Sequence, residues 1–242
     1  MHPYKDVERK KLTPLHRIQR LVRGRHLRTR FARDHHRWIV FTDESPFVIE
    51  QHHNAQNDRT YTEKGNPPPK DARTVERAQK PEGVMVWGAI GYNFKSRLYF
   101  VPAGLKVNTQ VYLRLMRMFE REVKAKFGYS DATGWRRMWI YQQDGAPSHT
   151  SNITQRWLME HFPDVITRDQ WPAASPDINP IELIWGILKP RVNAEAHPSV
   201  QSLEQALVRE WNLLSQDEIN RTIDGWIGRL DAMLAAGGGR FE

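Results

Sequence analysis

The chain has 242 residues, 39% apolar and 26% charged, enough to bury the core of one large domain or two small ones. It has no cysteine, which excludes disulfides, thiolate metal sites and a thiol nucleophile; no run nears the ~18 apolar residues of a membrane span, and the N-terminus is too charged for a signal peptide. The net charge of +8 is uneven, because residues 1–37 hold 12 Lys or Arg against three acidic residues while the remaining 205 residues sum to −1.

A strongly basic arm beside a near-neutral globule points to a polyanionic partner, nucleic acid ahead of an anionic lipid surface, with Arg17, Arg20, Arg23, Arg25, Arg28 and Arg30 as candidate phosphate contacts. Within the arm, Thr13-Pro14 followed by Leu15, Ile18 and Val22 predicts a short capped helix interrupted at Gly24. The composition changes at Trp38. Trp38–Phe41 reads as a strand buried on both faces, ending in Thr42-Asp43-Glu44-Ser45-Pro46, with a second strand expected over 47–50. Residues 51–83 are polar and include three successive prolines, a long insertion for a compact domain.

Strands are expected over 84–90 and 98–101, around a turn at 93–96. Apolar positions 112, 115, 116, 119, 123 and 127 form a helical stripe across 109–127. Trp139-Ile140-Tyr141 is a further strand, leading into Gln142-Gln143-Asp144-Gly145. A helix over 152–162, a short strand at 165–167, and helices over 180–193, 200–214 and 216–235 complete an α/β domain with a mixed sheet.

Three carboxylates stand out. Asp43 and Asp144 each sit where an apolar run ends, and Glu182 opens a helix after Asn179-Pro180-Ile181. Brought together, they suit two hard divalent cations, Mg²⁺ or Mn²⁺, at a phosphodiester. Singly, each has an ordinary reading: carboxylates commonly end strands, and Asn179, Pro180 and Glu182 have the pattern of a capping box.

The strings Phe41-Thr42-Asp43-Glu44-Ser45, Val86-Trp87-Gly88-Ala89-Ile90, Tyr141–Thr150 (YQQDGAPSHT) and Trp171–Trp185 (WPAASPDINPIELIW) occur in this order. Together they resemble the catalytic domain of mariner-type transposases, the cut-and-paste enzymes with a DDE triad, over roughly residues 12–240. The resemblance implies an RNase H-like fold, with Asp43 on the first strand, Asp144 on a later central strand and Glu182 on a following helix. It implies two Mg²⁺ or Mn²⁺ ions held by these three residues, transposon-end and target DNA as partners, and strand cleavage followed by strand transfer. A metal-dependent nuclease of the same fold without strand transfer, or a host-adopted inactive DNA-binding remnant, are the alternatives.

The 37 residues between Asp144 and Glu182 slightly exceed the commonest family spacing, the excess falling around 162–170. Asp177 is the competing third ligand, but it matches the family's Ser-Pro-Asp turn. His149 matches a family position and is expected near the metals or capping the next helix. The pairs His35-His36 and His52-His53 lack cysteine support for zinc, and Ser45 and Ser148 lack a nucleophile-elbow context.

The expected organisation is a basic linker arm (1–37), a catalytic domain (38–236) with a clamp-like insertion (51–83) reaching a partner in a homodimer on DNA, and a tail (237–242). The family carries helix-turn-helix modules before this domain. Nothing of that length precedes Trp38, so a catalytic-domain piece, a truncated copy or a remnant is expected. The nucleus is the expected location in a eukaryotic host.

Overall fold

The structure, a computed structural model, describes residues 11–49, 62, 66, 69, 82–101 and 105–241. The apolar run at Ile39 becomes a central strand, β1 (Ile39–Val48), with its first four residues buried because both faces of the sheet are covered. β1 runs through Pro46, so the separate strand expected over 47–50 is the end of the first. Ile49 N–H donates to Glu82 O. By alternation the nitrogen of Pro46 points the other way, to an edge where no ladder bond is lost.

β2 (Gly83–Gly91) pairs antiparallel with β1, placing Gly88 opposite Asp43. β3 (Phe94–Lys95) and β4 (Tyr99–Val101) both pair with β2. A two-stranded hairpin that the sequence did not suggest, β5 (Tyr129–Ser130) and β6 (Gly134–Trp135), precedes β7 (Ile140–Gln142). β7 is parallel to β1, giving a five-stranded mixed sheet ordered β3-β2-β1-β7, with β4 also on β2. The strand expected at 165–167 is a single bridge from Val165 to Tyr141.

The arm is where the structure departs furthest from expectation. α1 (Pro14–Arg30) starts at Thr13, whose side chain accepts from His16 N–H, and passes through Gly24 without interruption. Leu15, Ile18 and Val22 are 61%, 58% and 61% exposed, whereas the buried line is Arg20, Gly24 and Leu27. Gly24 is a point of close approach: a Cβ there would strike the Met233 side chain. Leu27 and Phe31 belong to the main core, so the body of the domain begins at α1 and not at residue 38. Residues 1–10 of the arm, and nearly all of the 51–83 insertion, lie outside the described residues.

One face of the sheet is covered by α2 (Thr109–Phe127) and, after the short α3 (Pro147–Thr150), by α4 (Asn152–His161). Val40, Trp87, Tyr112, Met116, Phe119, Tyr141 and Phe162 pack there. The other face is covered by α5 (Pro180–Val192), α6 (Val200–Leu213), α7 (Gln216–Asp224) and α8 (Trp226–Ala235), packed with α1 around Phe41, Ile184, Trp185, Trp211 and Trp226. The single helix expected over 216–235 divides at Gly225. No helix among the described residues is long and apolar enough to cross a membrane.

Candidate active site

Asp43 lies in the middle of β1, Asp144 two residues beyond the end of β7, and Glu182 in the first turn of α5. All three line one cleft of about 510 Å³, with His16, Trp171 and Arg240 among its other walls. The parallel pairing of β1 and β7 carries the first two carboxylates to the same end of the sheet. Asn179, which precedes α5, makes no capping bond; its Nδ2 donates to Thr42 O at 3.2 Å. The capping box expected of Asn179 and Glu182 is therefore not formed, and the bond to Thr42 ties the start of α5 to the strand carrying Asp43.

The carboxyls of Asp43 and Glu182 lie in the same cleft, close enough for the charge of one to act on the other. Burial first, then the charges of Glu182, Glu44 and Asp144, push Asp43 well above the usual carboxylate range. Asp144 is different. Burial works against its charge, but the side chain of His149 and the Ala146 N–H, which donates at 2.9 Å, hold its pKa below the ordinary value.

His149 is buried between two acids, with Nδ1 2.6 Å from Asp144 Oδ1 and Nε2 3.0 Å from Glu44 Oε1. Burial disfavours its charge, yet the flanking Glu44 and Asp144 carboxylates outweigh that and raise its pKa to about 10. The Tyr112 ring lies over it at 4.0 Å, and Gln143 and Gln155 each donate to its carbonyl at 3.0 Å. Tyr112 Oη in turn donates to Gln143 Oε1 at 2.6 Å. The imidazolium is thus held on every side, and it fixes the Asp144 carboxylate.

The donor set is all oxygen, and it gathers three carboxyls in one cleft, only Asp144 of which is bonded to a positive side chain, that of His149. That chemistry fits hard divalent cations. Among the described residues no three Asp, Glu, His or Cys side chains close on one point as a formed metal cage, and one Asp144 oxygen is turned to Ala146 and His149. Zinc finds no support at the other candidates: His35 stacks on Trp38, His36 is buried beside Trp226, and His52-His53 lie outside the described residues. Ser45 and Ser148 are buried.

The expected phosphate contacts separate into two groups. Arg20 is fully buried and bonds both oxygens of Asp177, so its assignment to DNA is corrected: the guanidinium ties α1 to the Ser-Pro-Asp turn. The same pair commits Asp177 and removes it as a third ligand. Arg23 donates to Arg168 O and Trp171 O, Arg28 to Asp231, and Arg30 to Asp164 and Gln170. Arg17 and Arg25 are exposed. Sequence reasoning passed over Glu44, Tyr112 and Arg240. Glu44 had a signal in its place beside Asp43; Arg240, far along the chain, had none.

A family model described as DDE superfamily endonuclease matches residues 38–204. The Tc3 transposase of Caenorhabditis elegans is 29% identical over 157 residues, which cover 64% of this chain and 44% of that protein. The Tc1 transposase of the same organism is 29% identical over 102 residues, 42% of this chain and 36% of that one. The chain thus spans less than half the length of these curated relatives. Among solved structures, the Mos1 transposase paired-end complex with left transposon end superposes with a TM-score of 0.81 at 19% identity, covering all of this chain and 69% of that one. The catalytic domain of Mos1 mariner transposase gives 0.73 at 17% identity, covering 96% and 98%. The fold is the RNase H-like fold of that domain, a mixed sheet flanked by helices.

Proposed function

The chain belongs to the DDE superfamily endonucleases, and from that premise we propose that it cuts DNA strands and joins them to target DNA, the chemistry of cut-and-paste transposition. One observation carries the reading. Asp43, Asp144 and Glu182, from a strand, a strand end and a helix far apart in sequence, line one cleft, and the charges of Glu182 and Asp144 bear on the buried Asp43. Burying carboxylates side by side is costly unless a site uses them.

Asp43, Asp144 and Glu182 would hold two Mg²⁺ or Mn²⁺ ions; two Mos1 structures, one a paired-end complex and one a catalytic domain, are described with Mn and with Mg respectively. Such ions, when bound, make a water or a 3′-hydroxyl nucleophilic and stabilise the leaving oxygen of a phosphodiester. The protein's own part is orientation. His149 holds Asp144 in one rotamer, Glu44 holds His149, and Asn179 fixes the start of α5 to β1 so that Glu182 faces Asp43. Trp171 and the turn after it wall the cleft, and the DNA strand would lie along that wall.

The proposed partners are transposon-end and target DNA, with two copies of the chain pairing two ends, as the paired-end complexes of Mos1 suggest by analogy of fold. In a eukaryotic host the reaction would take place in the nucleus, where the DNA is. The test is direct: incubate the protein with pre-cleaved end DNA and a plasmid, in Mg²⁺, Mn²⁺ or chelator, and look for joined products. Metal-dependent joining supports the reading. Cleavage without joining would make it a nuclease, and neither would make it a DNA-binding remnant.

A further inference from the structure

The last residues of the chain bring a positive charge to the carboxylate cleft. Three glycines follow α8, and Gly237 and Gly238 take left-handed backbone (φ 62° and 73°) that side chains resist. Gly238 N–H donates to Met233 O at 3.0 Å, and the chain turns back across α1 so tightly that a Cβ on Gly238 would strike Arg17 O. Arg20 then fixes this strap, its Nε donating to Gly238 O at 2.8 Å and its Nη2 to Gly239 O at 3.0 Å. Residues 237–241 are therefore a docked element where a tail was expected. The next residue, Arg240, lines the cleft with Asp43, Asp144 and Glu182.

Charge in this cluster is unbalanced. Arg20 takes both oxygens of Asp177, at 2.8 and 2.6 Å, and Arg240 Nη1 reaches Asp177 Oδ1 at 3.1 Å. Two guanidiniums share one carboxylate, which leaves a net positive charge on the wall of an acidic cleft. Arg240 Nε is buried and has no hydrogen-bond partner among the described residues, while the side chain remains 19% exposed. An unmatched buried donor is unfavourable until an acceptor arrives. A guanidinium with free N–H groups fits phosphate oxygens closely.

We infer that Arg240 is a substrate-binding residue: its guanidinium holds a non-bridging phosphate oxygen of the DNA strand lying over Asp43, Asp144 and Glu182. Asp177 positions it without neutralising it. A fixed cation on the rim offsets the repulsion between the carboxylate floor and the DNA backbone. The inference rests on the DNA reading above and adds a residue to it.

The absence of cysteine makes a clean test available, since Arg240→Cys carries the only thiol. That thiol is capped with a methanethiosulfonate bearing either an ammonium or a neutral group, and binding of a fluorescent DNA duplex is measured in chelator across salt concentrations. The neutral adduct and Arg240→Gln should lower the log–log salt slope by about 0.9, one phosphate contact. The ammonium adduct and Arg240→Lys should restore it. Arg209→Gln, an exposed arginine paired with Glu195 and Glu210, should leave the slope unchanged. Because the two adducts share one folded variant, a folding defect cannot mimic the difference. Equal slopes for both adducts, in a parent that binds DNA, would overturn the assignment of Arg240 and leave the DNA reading standing. A parent that binds no DNA overturns both.

Discussion

A methyl group on Gly88 would stand 2.9 Å from Cη2 of Trp185 and 3.3 Å from Cζ2. Gly88 lies opposite Asp43 in the β1–β2 register, and Trp185 lies one helical turn beyond Glu182 on α5. This glycine therefore sets how closely α5 approaches the sheet, and with it the separation of Asp43 and Glu182. Trp185 cannot yield freely, being buried and stacked on Trp211 at 5.4 Å. Gly88→Ala should cost about 1–3 kcal/mol by overpacking. It should also lower the cleavage rate at temperatures where the variant is fully folded, because the two carboxylates separate. Thermal melts paired with single-turnover cleavage check this, and a parental rate in the folded variant would sever Gly88 from the site.

Replacing the carboxylates separates their charge from their shape. Asp43 has a raised pKa in the fold, so its contribution to stability is present below the unfolded pKa and is lost as pH rises. Without metal, burial and the neighbouring carboxylates make ionising it unfavourable in the fold. Asp43→Asn should thus melt at or above the parent in chelator while losing cleavage and joining. Glu182→Gln should behave alike, since no cap bond depends on it. A marked drop in the melting temperature of Asp43→Asn in chelator would contradict the like-charge crowding.

Much of this arrangement was legible in the sequence, and the rest was hidden for identifiable reasons. The stripe of 112, 115, 116, 119, 123 and 127 gave α2 its bounds because every one of those side chains is buried against a single sheet face. Asp43 and Asp144 were readable because apolar runs end beside them. α1 misled because its most apolar line faces outward. Its buried line contains Arg20, whose partner Asp177 is 157 residues away, and no local pattern marks an arginine that is neutralised at that range. The division at Gly225 was hidden by helix-forming sequence on both sides. The link from Glu44 to His149 spans 105 residues and exists only once β1 and β7 pair.

The imidazole of His149 gives the site a pH signature. Its pKa is raised to about 10 in the fold, so the stability it contributes is complete below its unfolded value near 6.5 and is lost as pH climbs toward 10. Across that window the parent should lose stability with a slope approaching about 1.4 kcal/mol per pH unit relative to His149→Gln. Denaturant melts at intervals between pH 6 and 10 would show the two proteins converging. Parallel curves would mean that His149 is neutral in the fold and that Asp144 lacks its charged anchor.

The arginines of α1 should divide by function along the same helix. Arg20 and Asp177 form a buried pair, and breaking such a pair from one side leaves an uncompensated charge that typically costs about 3–5 kcal/mol. Arg20→Gln should therefore lower the melting temperature sharply, and in material that remains folded it should leave the salt dependence of DNA binding unchanged. Arg17 and Arg25 are exposed, and among the described residues neither side chain has a hydrogen-bond or ion-pair partner. Arg17→Gln and Arg25→Gln should barely affect stability, yet each should lower the log–log salt slope by about 0.9 if its head group meets a phosphate. Deleting residues 1–37 cannot make this distinction, because Leu27 and Phe31 leave the core with them and the fold is lost. Titrations of the three single variants with one DNA duplex, read beside their melts, test the division. Should Arg20→Gln flatten the salt slope as much as Arg17→Gln does, the buried pair would have to open on DNA, and α1 would be a mobile arm after all.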